Sequence, residues 1–105
     1  MLNTKEFEAI VEADVKNGLI PFWYGATFGT TFSCATDVNA EVIRICKKYG
    51  MWINVDAAYL GSSWLCSEQR PEMEDFEFVD SLAMNFSKSM FMGNGGNVFF
   101  IGDKK

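Results

Sequence analysis

Apolar positions near the start of the chain repeat at helical spacing. Phe7, Ile10, Val11 and Val15 lie between Thr4, a plausible N-cap, and the stop Asn17-Gly18. With Glu6 and Glu8 in the first turn, they predict a helix. An apolar run over residues 20–28, with Pro21 near its start, then predicts a strand. Gly29-Thr30-Thr31 follows as a tight polar turn. Asp37 or Asn39 can cap a second helix whose apolar face is Val42, Ile43, Ile45 and Cys46. Lys47 and Lys48 suit its C-terminal end, and Gly50 ends it. Residues 51–55 read as a second strand, so the order is strand, helix, strand. That order predicts a right-handed parallel crossover.

The stretch 61–76 has no clear period. Arg70-Pro71 marks a break there, and 72–77 is acidic. Residues 81–86 read as a third strand, Gly93-Asn94-Gly95-Gly96 as a turn, and 97–101 as a fourth strand. The last connection is too short for a parallel crossover, so the fourth strand is expected to be antiparallel. No internal repeat or low-complexity segment interrupts the pattern.

The expected fold class is therefore α/β, with about three parallel strands, one antiparallel strand and flanking helices. A mostly parallel sheet needs helices on both faces. Two or three helices are too few to cover this one. Either the chain, residues 1–105, is a piece of a larger domain or depends on a partner, or it is a small two-layer domain with one covered face.

Composition narrows the function classes. The chain has 105 residues, 49% hydrophobic and 22% charged, which fits one globular domain at most. Its net charge is −5 with no basic cluster, which argues against nucleic acid and anionic membrane as partners. No apolar run approaches the roughly 18 residues of a membrane span. The polar, acidic start resembles neither a signal nor a transit peptide, so a cytoplasmic protein is expected. The 3 cysteines, Cys34, Cys46 and Cys66, show no CxxC spacing and are expected to be free thiols. With no histidine at all, chemistry rests on Lys, Asp, Glu, Tyr or Ser, and no metal site is expected.

Ligands of open α/β sheets bind beyond the carboxyl ends of the strands. The first three strands end near Thr31, Asp56 and Lys88, which converge on one crevice if the strands are neighbours. Taken singly, each has a plainer reading. A strand-end Asp is more often a local cap, a lone Lys is more often a solvated charge, and the two can form a weak ion pair. Together they suit one chemistry. A lysine amine can form a Schiff base with the aldehyde of pyridoxal phosphate. A carboxylate beside the pyridine nitrogen favours the protonated ring. A small neighbour such as Ala58 lets a flat ring lie close.

The stretches GLIPFWYGATFGTT (18–31), WINVDAAYLGS (52–62), CSEQRP (66–71) and VDSLAMNFSK (79–88) carry a resemblance. In order and separation they resemble the group II pyridoxal-phosphate-dependent amino acid decarboxylases, in the aromatic-L-amino-acid and histidine decarboxylase branch. The resemblance implies a central fragment of the large domain of the type I pyridoxal-phosphate transferase fold. The N-terminal part and the C-terminal small domain are expected to lie outside this chain. It implies Lys88 as the Schiff-base lysine, Asp56 as the partner of the pyridine nitrogen, and Ala58 against the ring. It also implies Thr31 in the cofactor site and Asn85 near the phosphate. The implied activity is decarboxylation of an amino acid, aromatic by preference, to the amine and carbon dioxide, with a homodimer as the full-length assembly.

The chain departs from the family pattern beside its lysine. The family reads Asn-Pro-His-Lys-Trp; here the run is Asn85-Phe86-Ser87-Lys88-Ser89. The His that precedes the VDAAY motif is Asn54. These departures leave an alternative open, a non-catalytic relative acting as a binding or regulatory protein. A nucleotide-binding domain has only the 93–96 glycine run to support it, and that run precedes a strand rather than a helix. Tyr59 reads either as an acid or as packing over the second strand, and Cys66 as structural.

Overall fold

The computed structural model describes residues 2–73 and 75–103. Its centre is a four-stranded sheet in the order β1-β2-β3-β4. The strands are β1 (Trp23–Thr27), β2 (Trp52–Asp56), β3 (Ser81–Asn85) and β4 (Asn97–Ile101). β1 and β3 both pair with β2 in parallel, and β4 pairs with β3 antiparallel. The helices are α1 (Thr4–Lys16), α2 (Ala40–Lys48) and a single turn, α3 (Phe86–Ser89). The stretch without a clear period is a chain of 3-10 segments at Leu60–Leu65, Ser67–Met73 and Phe76–Phe78. The second of these runs through the break expected at Arg70-Pro71. Glu74, part of the acidic run, lies outside the described residues.

Boundaries differ from the sequence pattern in instructive ways. Asn3, not Thr4, caps α1, accepting from the Glu6 N–H at 3.4 Å. The Thr4 hydroxyl instead donates to Glu41 on α2. Asn39, not Asp37, caps α2, accepting from Val42 N–H at 3.0 Å. Asp37 accepts from the Thr27 N–H at the end of β1. β1 begins only at Trp23, leaving Ile20 and Phe22 outside it and exposed. Hydropathy alone could not separate an approach segment from the strand. β2 lies one residue further on than expected and includes Asp56, while Phe86 leaves β3 to open α3.

The core lies on one face of the sheet. Ile53 and Val55 point to that face from β2 and meet Val42, Ile43 and Cys46 of α2. Ile45, Ile53, Val42, Val55 and Cys46 are the largest fully buried side chains. Burial pushes the Cys46 thiol up to about 11. α1 adds Val11 and stacks Phe7 on Tyr24, with centroids 5.1 Å apart. Tyr24 is pushed up to about 12, first by burial and then by Asp37. Ile10 and Val15, expected on the same stripe, are exposed. At the surface, Glu8 of α1 accepts from Arg44 at 3.1 Å and Lys48 at 2.8 Å of α2.

The alternate residues of the strands form the opposite face. It carries Trp23, Trp52, Asn54, Asp56, Ser81, Phe99 and Ile101. Trp52 Nε1 donates to Ser81 Oγ at 2.9 Å, and Ser81 Oγ donates to Asn54 Oδ1 at 2.8 Å. Trp23, Phe99 and Ile101 are 52%, 58% and 66% exposed, so no described helix covers this face. Between β2 and β3 sits Asp80, only 3% exposed. It accepts from Ile53 N–H at 2.7 Å and pairs with Lys47 at 3.1 Å, tying α2 to the sheet.

Candidate functional site

The carboxyl ends of β1, β2 and β3 bring three of the expected residues to one edge of the sheet. Thr27 and Asp56 are register partners, and Asp56 is in turn the partner of Ala83. Beyond Thr27 the chain continues as Phe28, whose N–H donates to Asp56 O at 2.8 Å, and then turns. Gly29 makes that turn with φ +72°, a left-handed conformation that favours glycine. A Cβ on Gly29 would overlap the Leu60 side chain, so the turn also needs glycine for close approach. Thr30 and Thr31 follow this turn, and Thr31 Oγ1 meets the segment after β3. Phe28 is held from below by Trp64, with ring centroids 4.6 Å apart.

Asp56 is exposed at the end of β2, and Ala58 N–H donates to its Oδ1 at 2.9 Å. This is the local turn that aspartate makes with the residue two positions on. The local-cap reading holds for Oδ1, and Oδ2 is not hydrogen-bonded among the described residues. Ala58 is half-buried, and its carbonyl accepts from Asn85 N–H at 3.3 Å.

Asn85 ends β3 and caps α3. Its Oδ1 accepts from Ser87 N–H at 2.8 Å and from Ser87 Oγ at 2.5 Å. Among the described residues, no hydrogen bond is made by the Nδ2 donors of Asn85. Lys88 follows inside that turn and is exposed. Its Nζ donates to Thr31 Oγ1 at 3.2 Å. The possible ion pair between Asp56 and Lys88 is not formed; among the described residues neither makes a salt bridge.

The sequence pattern alone did not point to several supporting contacts. Ser89 Oγ donates to Tyr59 O at 2.5 Å, joining the lysine turn to the segment after Asp56. Tyr59 thus enters through its carbonyl. Gly96 O accepts from Phe86 N–H at 2.7 Å, and a Cβ on Gly96 would press on Phe86 and Ser87. The glycine run is therefore a bed for the lysine turn as well as a loop. Its length, greater than a turn needs, was the available signal. Cys34 and Cys66 are exposed and Cys46 is buried, all as free thiols. No group of metal-ligating side chains occurs among the described residues.

The donor set fits an aldehyde-bearing, anionic pyridine. Among the described residues it offers an amine, a carboxylate with one oxygen not hydrogen-bonded, a hydroxyl beside the amine and a carboxamide whose donors are not engaged, together with the small side chain of Ala58. Comparisons with known proteins point the same way. The pyridoxal-dependent decarboxylase conserved domain matches residues 1–105. Histidine decarboxylase of Mus musculus is 39% identical over 103 residues, covering 98% of this chain and 16% of that protein. Aromatic-L-amino-acid decarboxylase of Manduca sexta is 44% identical over 82 residues, covering 78% of this chain and 16% of that protein. Tryptophan decarboxylase of Catharanthus roseus, solved with L-tryptophan, superposes with a TM-score of 0.90 at 34% identity, over 95% of this chain and 22% of that one. The Oryza sativa TDC structure with PLP gives 0.91 at 32% identity, over 97% and 22%. The chain spans about a sixth of the length of these two curated relatives.

Proposed function

This chain belongs to the pyridoxal-dependent decarboxylase family, and on that premise we propose that it supplies the cofactor-lysine segment of an amino acid decarboxylase. The reaction proposed is loss of carbon dioxide from an aromatic L-amino acid to give the amine. The observation that carries the reading is the Lys88 amine resting on Thr31 Oγ1, which joins the segments after β3 and β1 on either side of β2, the strand that ends in Asp56. The donor set described above supports pyridoxal phosphate as the cofactor.

Each residue has a distinct part. The Lys88 amine holds the cofactor's aldehyde carbon. Thr31 Oγ1 accepts an N–H from that amine and so fixes where the nitrogen sits. Asp56 keeps a proton on the ring nitrogen by direct pairing. Ala58 leaves room for the flat ring, and Asn85 offers its Nδ2 hydrogens to the phosphate. When bound, the cofactor supplies a sink for the electron pair left as carbon dioxide departs. A homodimer of the intact protein is part of the same proposal, and the family membership supports it.

The test is the visible absorbance of the lysine-bound cofactor in the intact protein, with and without Lys88→Ala. A band in wild type that the variant abolishes supports the reading, and no band overturns it. A second reading, a non-catalytic relative, is favoured by the residues on either side of Lys88, Ser87 and Ser89, which depart from the family pattern. Amine production from aromatic L-amino acids by the intact protein would exclude that second reading.

A further inference from the structure

We propose that Ser89 is a positioning residue for Lys88: its hydroxyl latches the turn that carries the lysine to the backbone of the segment that carries Asp56. The inference rests on the reading of Lys88 given above and adds what holds that lysine in place.

α3 is only four residues long, Phe86–Ser89. A single turn does not stand by itself, because nucleation is costly and one turn recovers little of it. Its position is set by what anchors it. On the N-terminal side it has two anchors: Phe86 N–H on Gly96 O at 2.7 Å, and the Asn85 cap on Ser87. On the C-terminal side, Met90 N–H returns to Phe86 O at 3.2 Å, a bond internal to the turn. Among the described residues, two hydrogen bonds run from that side to the body of the protein: the flexible Lys88 side chain to Thr31 Oγ1, and the short Ser89 Oγ to Tyr59 O.

That bond spans 30 positions in sequence and begins on the residue next to Lys88. Tyr59 lies three residues beyond Asp56, whose Oδ1 takes the intervening Ala58 N–H at 2.9 Å. The latch therefore couples the frame of the amine to the frame of the carboxylate. Lys88 has a long, flexible stem whose ordering costs entropy. A fixed turn limits where its Nζ can reach, and the Thr31 contact then selects one place. Without the latch, the C-terminal half of α3 is free to swing and the amine samples positions off the crevice.

The experiment follows the rate at which Lys88 captures added pyridoxal phosphate in the intact protein, read from the visible band. The variants are Ser89→Ala, Ser89→Thr and Ser89→Cys. Ser89→Ala and Ser89→Cys are expected to slow capture by about tenfold, on the scale of a small misplacement of a reacting group. They should also move the pH midpoint of the band. Ser89→Thr, which keeps the hydroxyl, restores both. Should Ser89→Ala fail to fold, Ser89→Cys decides, being of nearly the same size with only a weak donor. Wild-type capture by the folded Ala or Cys variant, beside a normal wild-type band, overturns the latch and leaves the function of Lys88 standing. A wild type without the band overturns both.

Discussion

Lys88 Nζ donates to Thr31 Oγ1 at 3.2 Å across 57 positions of sequence. The bond joins the turn after β3 to the turn after β1, the two strands that flank β2, which ends at Asp56. Thr31→Val removes the acceptor at nearly constant volume, and Thr31→Ser keeps it. Capture of pyridoxal phosphate by Lys88 should slow by about tenfold in the Val variant, the scale of one hydrogen bond to a charged group. The Ser variant should be close to wild type, and the absorbance time course checks both.

Gly29 should resist substitution. Its φ of +72° disfavours any side chain, and a Cβ would overlap Leu60. Gly29→Ala is expected to lower stability by about 2 kcal/mol or more, from backbone strain and displaced packing together. The midpoint of urea unfolding measures it, with an unchanged slope showing that the loss lies in stability alone.

Asp80 is the buried carboxylate that joins Lys47 of α2 to the Ile53 N–H of β2. Asp80→Ala leaves that N–H without its acceptor and Lys47 without its partner. The expected cost is about 3 kcal/mol, near the low end for breaking a buried pair, since Lys47 is partly exposed. A shift in thermal midpoint well below that size would show that water replaces the carboxylate.

The clasp between α1 and α2 should weaken in acid. Hydrogen bonds from Lys48 and then Arg44 hold the Glu8 carboxyl below its ordinary value. A depressed carboxyl adds stability above its unfolded value, and that stability is lost as pH falls through the folded one. Melting temperature measured from neutral pH into the acid range should therefore fall less steeply in Glu8→Gln than in wild type. Added salt should shrink the difference, because the groups are at the surface.

Thiol labelling should divide the cysteines. Cys34 and Cys66 are exposed, whereas Cys46 is fully buried and its thiol is pushed up to about 11. An alkylating agent near neutral pH should modify the first two and spare Cys46, as read by mass spectrometry. A raised thiol adds stability below its ordinary unfolded value. That part is lost as pH rises through the folded value, so protection of Cys46 should fail in strong base.

Much of this was legible in the chain itself. The apolar stripe Val42, Ile43, Ile45 and Cys46 fixed the buried side of α2, because helical period leaves little choice about which face turns inward. The short glycine-rich link before β4 fixed its antiparallel direction, because no crossover fits that length. Asp56, Thr31 and Lys88 could be named because each stands where an apolar strand gives way to polar residues. The limits were local. Phe22 and Ile20 carry strand-like side chains, yet only pairing with a neighbouring strand decides where β1 begins. Asn3 and Thr4 are both good caps, and the choice fell to Asn3 because Thr4 is drawn to Glu41 on another helix.

The sequence by itself determined the order of elements, the buried stripes and the kinds of groups available at the strand ends. These follow from periodicity and chain length, which act over a few residues. Only the tertiary structure decided which partner each polar group takes. Lys88 goes to Thr31 and not to Asp56, Ser89 goes to the Tyr59 carbonyl, and Gly96 beds the lysine turn. Each of those choices sets one donor against several acceptors within reach. Angle and distance settle the contest, and they exist only once segments far apart in sequence have been packed side by side.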